Sequence, residues 1–229
     1  MGSFAERLQA LTVQLPPFIM AVVFHEYAHG FIANKWGDTT AHDRGRLTLN
    51  PIPHIDPIGT LLFPIINMLS GISLLIGWAR PVPIDPRRFR KPRAGLFCVS
   101  LAGPAMNVFL ALISSAAFGT LYRWMPHDFY LFSPLIAMCY VSISLNYALG
   151  IFNLIPLPPL DGSKVVQSVL PIELARKYET LARYSFFILM ALLLTGAFSF
   201  LAAPIEFLTN ATLYVTTRLF HLSLTELPQ

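Results

Sequence analysis

Two histidines and a glutamate lie close together near the start of the chain, in the sequence His25-Glu26-Tyr-Ala-His29. On an α-helix, residues four apart lie on one face about one turn apart, so both imidazoles can bind one metal ion. Glu26 follows the first ligand directly and is placed to act as a general base. Two imidazoles beside a carboxylate predict a catalytic zinc site, whose usual reaction is hydrolysis.

A catalytic zinc site needs a third protein ligand, and Asp161 is the candidate that the residues favour. It closely follows an apolar stretch, in a segment that also contains Pro156, Pro158, Pro159 and Gly162. Because proline has no backbone N–H, this segment cannot be a regular helix, and an unwound backbone could turn Asp161 toward the metal. Taken alone, the same residues would predict a surface turn.

The composition predicts that these residues belong to a membrane protein. Of the 229 residues, 55% are hydrophobic and 12% are charged, whereas a typical soluble domain has about 25% charged residues. Several apolar stretches reach or approach the roughly 20 residues that cross a bilayer as a helix. They are residues 10–34, 57–78, 94–122, 132–155 and 184–203, with a weaker stretch at 205–221.

We therefore predict an all-α polytopic membrane protein with about 4–6 transmembrane helices. A single integral domain covers residues 1–229, with its catalytic core at about 15–165 and its C-terminal helices at 184–221. The net charge of +4 arises in loops beside apolar stretches. Topology and anionic lipid headgroups explain this charge better than a nucleic-acid partner, so we expect the lipid bilayer and no nucleic acid as its surroundings.

The basic residues also predict the topology. Three segments hold all of them except Arg7, Arg123 and Arg218; these segments are residues 35–56, 79–93 and 156–183. The positive-inside rule places all three segments in the cytoplasm. The expected setting is the cytoplasmic membrane of a prokaryote, with the N-terminus outside and the metal site nearer the cytoplasmic face.

That topology requires an even number of membrane crossings between the first two basic segments. Pro64, Gly71 and Gly77 interrupt the apolar stretch at 57–78. We therefore favour a re-entrant or strand-containing segment near 45–84, because irregular backbone is tolerated at membrane depth when it is buried in protein. One ordinary helix of 22 residues at 57–78 stays open as the alternative.

Four motifs follow one another along the chain. They are His25-Glu26-x-x-His29, Gly77-Trp-Ala-Arg-Pro-Val-Pro83, Gly103-Pro104-x-x-Asn107 and Asn153-x-x-Pro-x-Pro-x-Leu-Asp161-Gly162. Their order and spacing resemble the site-2 protease family of intramembrane metalloproteases, over roughly residues 15–165. The chain looks like the short members of that family, since no segment reads as an inserted PDZ or CBS domain.

The resemblance implies one zinc ion, held by His25, His29 and Asp161. It implies that Glu26 acts as the catalytic base and that Asn153 helps to polarise the scissile carbonyl or to steady the oxyanion. The expected substrate is a membrane protein with a transmembrane segment, cut in or near that segment.

Further residues are candidates for supporting roles. Arg80, Pro81 and Val82 are candidate substrate-binding residues, because a strand edge can capture an unwound substrate and proline suits an edge strand. A plain extended connector is an equally open interpretation of them. His54 and Asn107 are candidates for contacts that support the metal ligands, although a turn histidine without a catalytic role is the alternative for His54.

Two other functions remain open on the residues alone. Histidine, glutamate and aspartate inside a membrane also suit a metal or proton transporter, but the paired inverted halves of such proteins are absent from this sequence. The second alternative is an inactive metal-binding scaffold. The sequence leaves open the identity of the substrate, the trigger for cleavage and the oligomeric state.

Overall fold

A computed structural model describes residues 4–63, 65–66 and 77–222 of the chain. Its α-helices are α1 Phe4–Trp36, α2 Thr40–Asp43, α3 Pro92–Trp124, α4 Phe132–Asn153, α5 Asp161–Val169, α6 Ile172–Glu179, α7 Ala182–Leu194 and α8 Ala202–Leu219. Short 3-10 helices occupy Ile52–His54, Pro86–Arg88 and Ala197–Leu201, and a π-helix occupies Pro57–Leu62. The described ranges contain no β-strand.

Four helices in the described ranges are long and apolar enough to cross a membrane. They are α1, α3, α4 and the 23 residues of Ala197–Leu219, which join a 3-10 turn to α8. With 33 residues each, α1 and α3 are about 50 Å long at 1.5 Å per residue, which exceeds the roughly 30 Å of a bilayer's hydrocarbon core. The prediction of an all-α polytopic membrane protein is confirmed.

The long helices alternate in direction. The N–H of Arg90, just before α3, donates to the carbonyl of Trp36 at 2.9 Å, so α1 ends where α3 begins. The rings of Phe152 and Phe198 lie 5.4 Å apart, which places the end of α4 beside the start of the last span. We call this end of the bundle the site end. At the opposite end, the ring of Phe220 lies 5.7 Å from that of Trp124.

The two ends of the predicted re-entrant segment lie side by side. The N–H of Trp78 donates to the carbonyl of Gly59 at 3.2 Å, and the hydroxyl of Thr60 donates to the carbonyl of Trp78 at 2.8 Å. The N–H of Arg80 donates to the carbonyl of His54 at 2.8 Å. Residues 59–60 therefore lie at the same level of the bundle as residue 78. Residues 64 and 67–76 lie outside the described ranges, so re-entry itself stays a prediction.

The C-terminal spans differ from their predicted bounds. The sequence predicts one continuous span over 184–203, but α7 ends at Leu194 and Gly196 has a φ of +68°. This left-handed conformation suits glycine and interrupts a right-handed helix. The candidate span is Ala197–Leu219 instead, which includes most of the weaker apolar stretch at 205–221. Composition predicts apolar length correctly here, but it misses the break inside that length.

A hydrophobic core joins α3, α4 and α8. Its buried members are Ala111, Phe118, Tyr122, Ile136, Ile143, Tyr147 and Leu213. The α3 and α4 helices also approach closely at Gly150, where an added Cβ would lie 3.4 Å from the carbonyl oxygen of Pro104. Close packing of these two helices brings their polar side chains within hydrogen-bond reach, which matters for the metal site.

Candidate metal centre and its surroundings

Three ligand atoms converge near the site end of the bundle. Nε2 of His25 and Nε2 of His29 lie 3.0 Å apart, and Oδ2 of Asp161 lies 3.1 Å from the first and 3.0 Å from the second. All three side chains are buried, and they form the one group in the described ranges that could hold a metal ion. His29 lies seven residues before the end of α1, about 10 Å inside the bundle.

The other ring nitrogen of each histidine fixes its tautomer. Nδ1 of His29 lies 2.7 Å from the carbonyl oxygen of Val99, and this oxygen can only accept a hydrogen bond. Nδ1 of His25 lies 2.6 Å from Oδ1 of Asn107. Both Nδ1 atoms therefore carry the proton, so both Nε2 atoms present lone pairs to the carboxylate of Asp161.

This arrangement fits a cation. Three lone-pair atoms held about 3 Å apart repel one another unless a positive charge lies among them. Tetrahedral zinc with ligand distances of about 2.0–2.1 Å needs ligand atoms about 3.3 Å apart, close to the observed spacing. Two imidazoles and one carboxylate form a three-ligand set that leaves a fourth position for water or substrate, as in catalytic zinc sites.

Gly103 of α3 provides room for the ion. A Cβ added at Gly103 would lie 2.5 Å from Cε1 and 2.6 Å from Nε2 of His25, and closer still to Nε2 of His29. Any other residue would therefore place its side chain against both metal-binding nitrogens. The glycine of the Gly103-Pro104 motif leaves α3 without a side chain beside the ligands.

Asp161 reaches the two histidines because α5 begins at this residue and packs against α3, close to the two residues that follow α4. A Cβ added at the next residue, Gly162, would lie 2.6 Å from the carbonyl oxygen of Ile155 and closer to that of Leu154. As a zinc ligand, Asp161 must be a carboxylate, because a metal binds the deprotonated group.

Glu26 is held by the segment that the sequence singles out for substrate binding. The N–H of Val82 donates to Oε2 of Glu26 at 2.7 Å. The guanidinium of Arg46 donates from Nη2 to the carbonyl oxygens of Arg80 at 2.8 Å and of Pro81 at 3.3 Å. Within residues 80–84, Val82 therefore lies directly beside the predicted base, and Arg46 holds the two residues before it. They form neither helix nor strand, and the two prolines favour extended backbone.

Two predicted site residues make other contacts. Asn153, the last residue of α4, donates from Nδ2 to the carbonyl oxygen of Leu149 at 3.0 Å. His54 is buried and its Nε2 lies 2.9 Å from the carbonyl oxygen of Thr48. Since the Nδ1 partners of the ligand histidines are Asn107 and the Val99 carbonyl, His54 supports neither of them. Its carbonyl binds Arg80 instead, so it supports the substrate-binding segment.

Three groups that form hydrogen bonds in or around the site are not among the residues predicted from the sequence. Asn146 of α4 accepts a hydrogen bond from Asn107, Arg46 binds the 80–82 segment, and the Val99 carbonyl binds His29. Asn146 carries a signal that could have found it, because a buried amide within an apolar span is costly unless it has a role. A backbone carbonyl carries no such signal.

Comparisons with known proteins find a peptidase family and relatives named as zinc metalloproteases. The sequence profile of Peptidase family M50 matches residues 125–195, a range that includes Asn153 and Asp161. The protein of Bacillus subtilis (strain 168) named "Putative zinc metalloprotease YwhC" is 37% identical over 187 residues, which are 81% of this chain and 82% of that protein. No solved structure matches the chain.

Two mycobacterial proteins named "Putative zinc metalloprotease Rip2" are also similar. The one from Mycolicibacterium smegmatis (strain ATCC 700084 / mc(2)155) is 30% identical over 181 residues, covering 79% of this chain and 66% of that protein. The one from Mycobacterium tuberculosis (strain ATCC 25618 / H37Rv) is 28% identical over 181 residues, covering 77% and 64%. These names confirm the predicted resemblance and support zinc as the cofactor, and they favour a protease over a transporter or an inactive scaffold.

Proposed function

This chain belongs to peptidase family M50, the family of site-2 proteases, and from that premise we propose that it hydrolyses a peptide bond within a membrane. The substrate is a membrane protein, cut in or near one of its transmembrane segments. One observation carries the proposal above all. The three convergent ligand atoms lie inside a bundle of four apolar helices, with a carboxylate base next to the first ligand.

The residues divide the chemistry among them. His25, His29 and Asp161 hold zinc, which when bound supplies an activated water and a Lewis acid for the scissile carbonyl. Glu26 accepts a proton from the attacking water and delivers it to the leaving amine. Its Oε2 is held by the N–H of Val82, so the carboxylate is oriented and Oε1 takes the proton.

Asn153 supplies a hydrogen-bond donor for the oxyanion in this proposal. Its side-chain amide bonds the Leu149 carbonyl of its own helix at 3.0 Å, so it must turn to reach a bound substrate. It lies at the end of α4, where the regular helix gives way to the proline-rich segment before Asp161. A donor already aimed at the oxyanion contributes roughly 3–4 kcal/mol to transition-state stabilisation, and Asn153 contributes less because its bond to Leu149 must first break.

Residues 80–84 bind the substrate. A peptide bond in a helix is protected by its own hydrogen bonds, so the substrate must unwind before it is cut. An extended enzyme segment can then pair with it through backbone hydrogen bonds. Arg46 supports this role, since its guanidinium donates hydrogen bonds to the carbonyls of Arg80 and Pro81 and holds this segment in place. Burial, followed by the charge of Arg80, lowers the pKa of Arg46, but the guanidinium stays charged at neutral pH.

The site end faces the cytoplasm in this proposal. The basic segment 79–93 precedes α3 at that end, and the segment 156–183 follows α4 there. The positive-inside rule therefore supports a cytoplasmic site end in the cytoplasmic membrane of a prokaryote.

Cleavage in liposomes tests the proposal. The full chain is reconstituted with zinc and a single-span test protein, and the products are mapped by mass spectrometry. We expect a cut within the apolar segment or a few residues from it. Glu206→Gln serves as a matched control for Glu26→Gln, because Glu206 is an exposed residue of α8 that undergoes the same chemical change. Equal cleavage of an unfolded soluble protein, or equal activity of Glu26→Gln and Glu206→Gln, would refute the proposal.

A further inference from the structure

A chain of buried amide groups runs from the metal site into the middle of the bundle. Nδ1 of His25 lies 2.6 Å from Oδ1 of Asn107, and Nδ2 of Asn107 donates to Oδ1 of Asn146 at 2.9 Å. Nδ2 of Asn146 donates to the carbonyl oxygen of Ser142 at 2.8 Å. Asn107 and Asn146 are 0% and 1% exposed. The proposed reaction does not use Asn146.

The last acceptor of this chain sets the direction of every hydrogen bond in it. A backbone carbonyl can only accept, so Asn146 must present its NH2 group to Ser142 and its oxygen to Asn107. Asn107 must then present its NH2 group to Asn146 and its oxygen to His25. That oxygen also can only accept, so the proton of the imidazole lies on Nδ1 and Nε2 stays free for the metal.

We propose that Asn146 is a positioning residue that acts through Asn107 to hold His25 in the tautomer that binds zinc. The inference rests on the zinc site of the proposed function, but it does not depend on proteolysis. Asn146 belongs to α4, whereas His25 belongs to α1 and Asn107 to α3. The position of the proton on the His25 ring therefore depends on how these three helices pack.

Asn107 needs this partner because an amide can flip. The two ends of the Asn107 amide have nearly the same shape, so shape alone does not choose between them. Its other bond, from Nδ2 to the carbonyl oxygen of Ala21, is 3.4 Å long and therefore weak. A flipped Asn107 would donate to Nδ1 of His25 and move the imidazole proton to Nε2, where it blocks the metal.

The chain of buried amide groups orients His25 alone, because His29 has a different partner. Its Nδ1 donates directly to the carbonyl oxygen of Val99, and a helix carbonyl cannot exchange its acceptor for a donor. The tautomer of His29 is therefore fixed by backbone. That of His25 depends on two side chains, both of which would be costly to bury in a membrane without partners.

Zinc release from the full-length, zinc-loaded protein in detergent tests the inference. Asn146→Leu keeps a similar volume but removes the acceptor that orients Asn107. We expect its zinc to transfer to a chelator about 10-fold faster than that of the wild type, because residues behind a metal ligand contribute roughly 10-fold or more to metal affinity and a weaker site releases its ion faster. Asn146→Asp keeps an oxygen facing Asn107 in either protonation state, so we expect it to release zinc at nearly the wild-type rate.

Tyr147→Phe is the matched control. Tyr147 adjoins Asn146 on α4, is also buried, and loses a 2.6 Å hydrogen bond to Thr212 that has no link to His25. We expect it to release zinc at the wild-type rate. A spectroscopic signature accompanies release: in protein labelled with ¹⁵N-histidine, the Nδ1–H proton resonance of His25 should move upfield in Asn146→Leu alone, because its hydrogen bond to Asn107 weakens.

Three outcomes would overturn the inference. They are equal release from the wild type and Asn146→Leu, release from Asn146→Asp as fast as from Asn146→Leu, and release from Tyr147→Phe as fast as from Asn146→Leu. The last two would show that packing rather than amide direction holds the metal. A wild type that binds zinc but cleaves nothing contradicts the proposed function and leaves this inference supported, whereas a wild type without zinc contradicts both.

Discussion

Replacement of Gly103 by alanine places a methyl group where the two imidazole rings of the metal site meet α3. The added Cβ would lie 2.5 Å from Cε1 and 2.6 Å from Nε2 of His25, and closer to Nε2 of His29. Ordinary contacts between such atoms are about 3.5 Å, so the rings or α3 must move by about 1 Å. We expect Gly103→Ala to lose most of its zinc.

The size of the loss follows from what holds the rings. A shift of about 1 Å stretches the hydrogen bonds of the two Nδ1 atoms, now 2.6 and 2.7 Å long, beyond the accepted limit. Losing one such support costs roughly 10–100-fold in metal affinity, and both histidines are affected. Overpacking adds about 1–3 kcal/mol of destabilisation if the helix moves instead.

Metal analysis of the purified variants measures this effect as zinc per chain, alongside thermal unfolding. Gly150→Ala is the matched control, because it makes the same change in a neighbouring span. Its Cβ would meet its nearest neighbour, the carbonyl oxygen of Pro104, at an ordinary 3.4 Å. One zinc per chain and full activity in Gly103→Ala would refute the placement of the ligands against α3.

Three further changes test separate parts of the site. Gly162→Ala places a Cβ against the backbone carbonyls of Leu154 and Ile155, so we expect Asp161 to shift. Metal analysis should then find less zinc per chain. Unchanged zinc would contradict this packing. Asp161→Asn removes the negative ligand, and we expect zinc affinity, measured by chelator competition, to fall by more than the roughly 100-fold reached by residues behind the ligands. Arg46→Gln removes the charged donor that holds the carbonyls of Arg80 and Pro81. We expect a KM about 10-fold higher with zinc content unchanged, because 10-fold is about 1.4 kcal/mol and a hydrogen bond to a charged group contributes roughly 1.5–3 kcal/mol. An unaltered KM would separate Arg46 from substrate binding.

The sequence predicts the parts of the candidate site that depend on residue spacing along one helix or on the chemistry of single residues. His25 and His29 share a helix face because they are four residues apart, and that holds for any helix that contains them. Asp161 could be singled out because prolines stop α4 from continuing and a carboxylate follows them closely in the chain. The all-α membrane class follows from apolar length, which helices must satisfy in a bilayer.

Other features depend on packing that one sequence does not reveal. Asn107 and Asn146 are 39 residues apart and meet because α3 and α4 pack in one particular register. The contacts of His54 depend on packing in the same way, since its loop lies beside the 80–82 segment, and the sequence leaves open whether this histidine supports the ligands or belongs to a plain turn. The predicted span at 184–203 fails at Gly196, because composition alone does not show that this glycine takes a left-handed conformation.

Zinc content and cleavage measured on one preparation of Glu26→Gln test most directly whether the convergent ligands and the adjacent carboxylate form a protease site. Glutamine keeps the shape and one oxygen that accepts from the N–H of Val82, so one zinc per chain should remain. Loss of a general base should lower the cleavage rate by roughly 100- to 10,000-fold relative to the wild type and Glu206→Gln. A zinc-loaded Glu26→Gln variant that still cuts a transmembrane substrate at the wild-type rate would contradict that assignment.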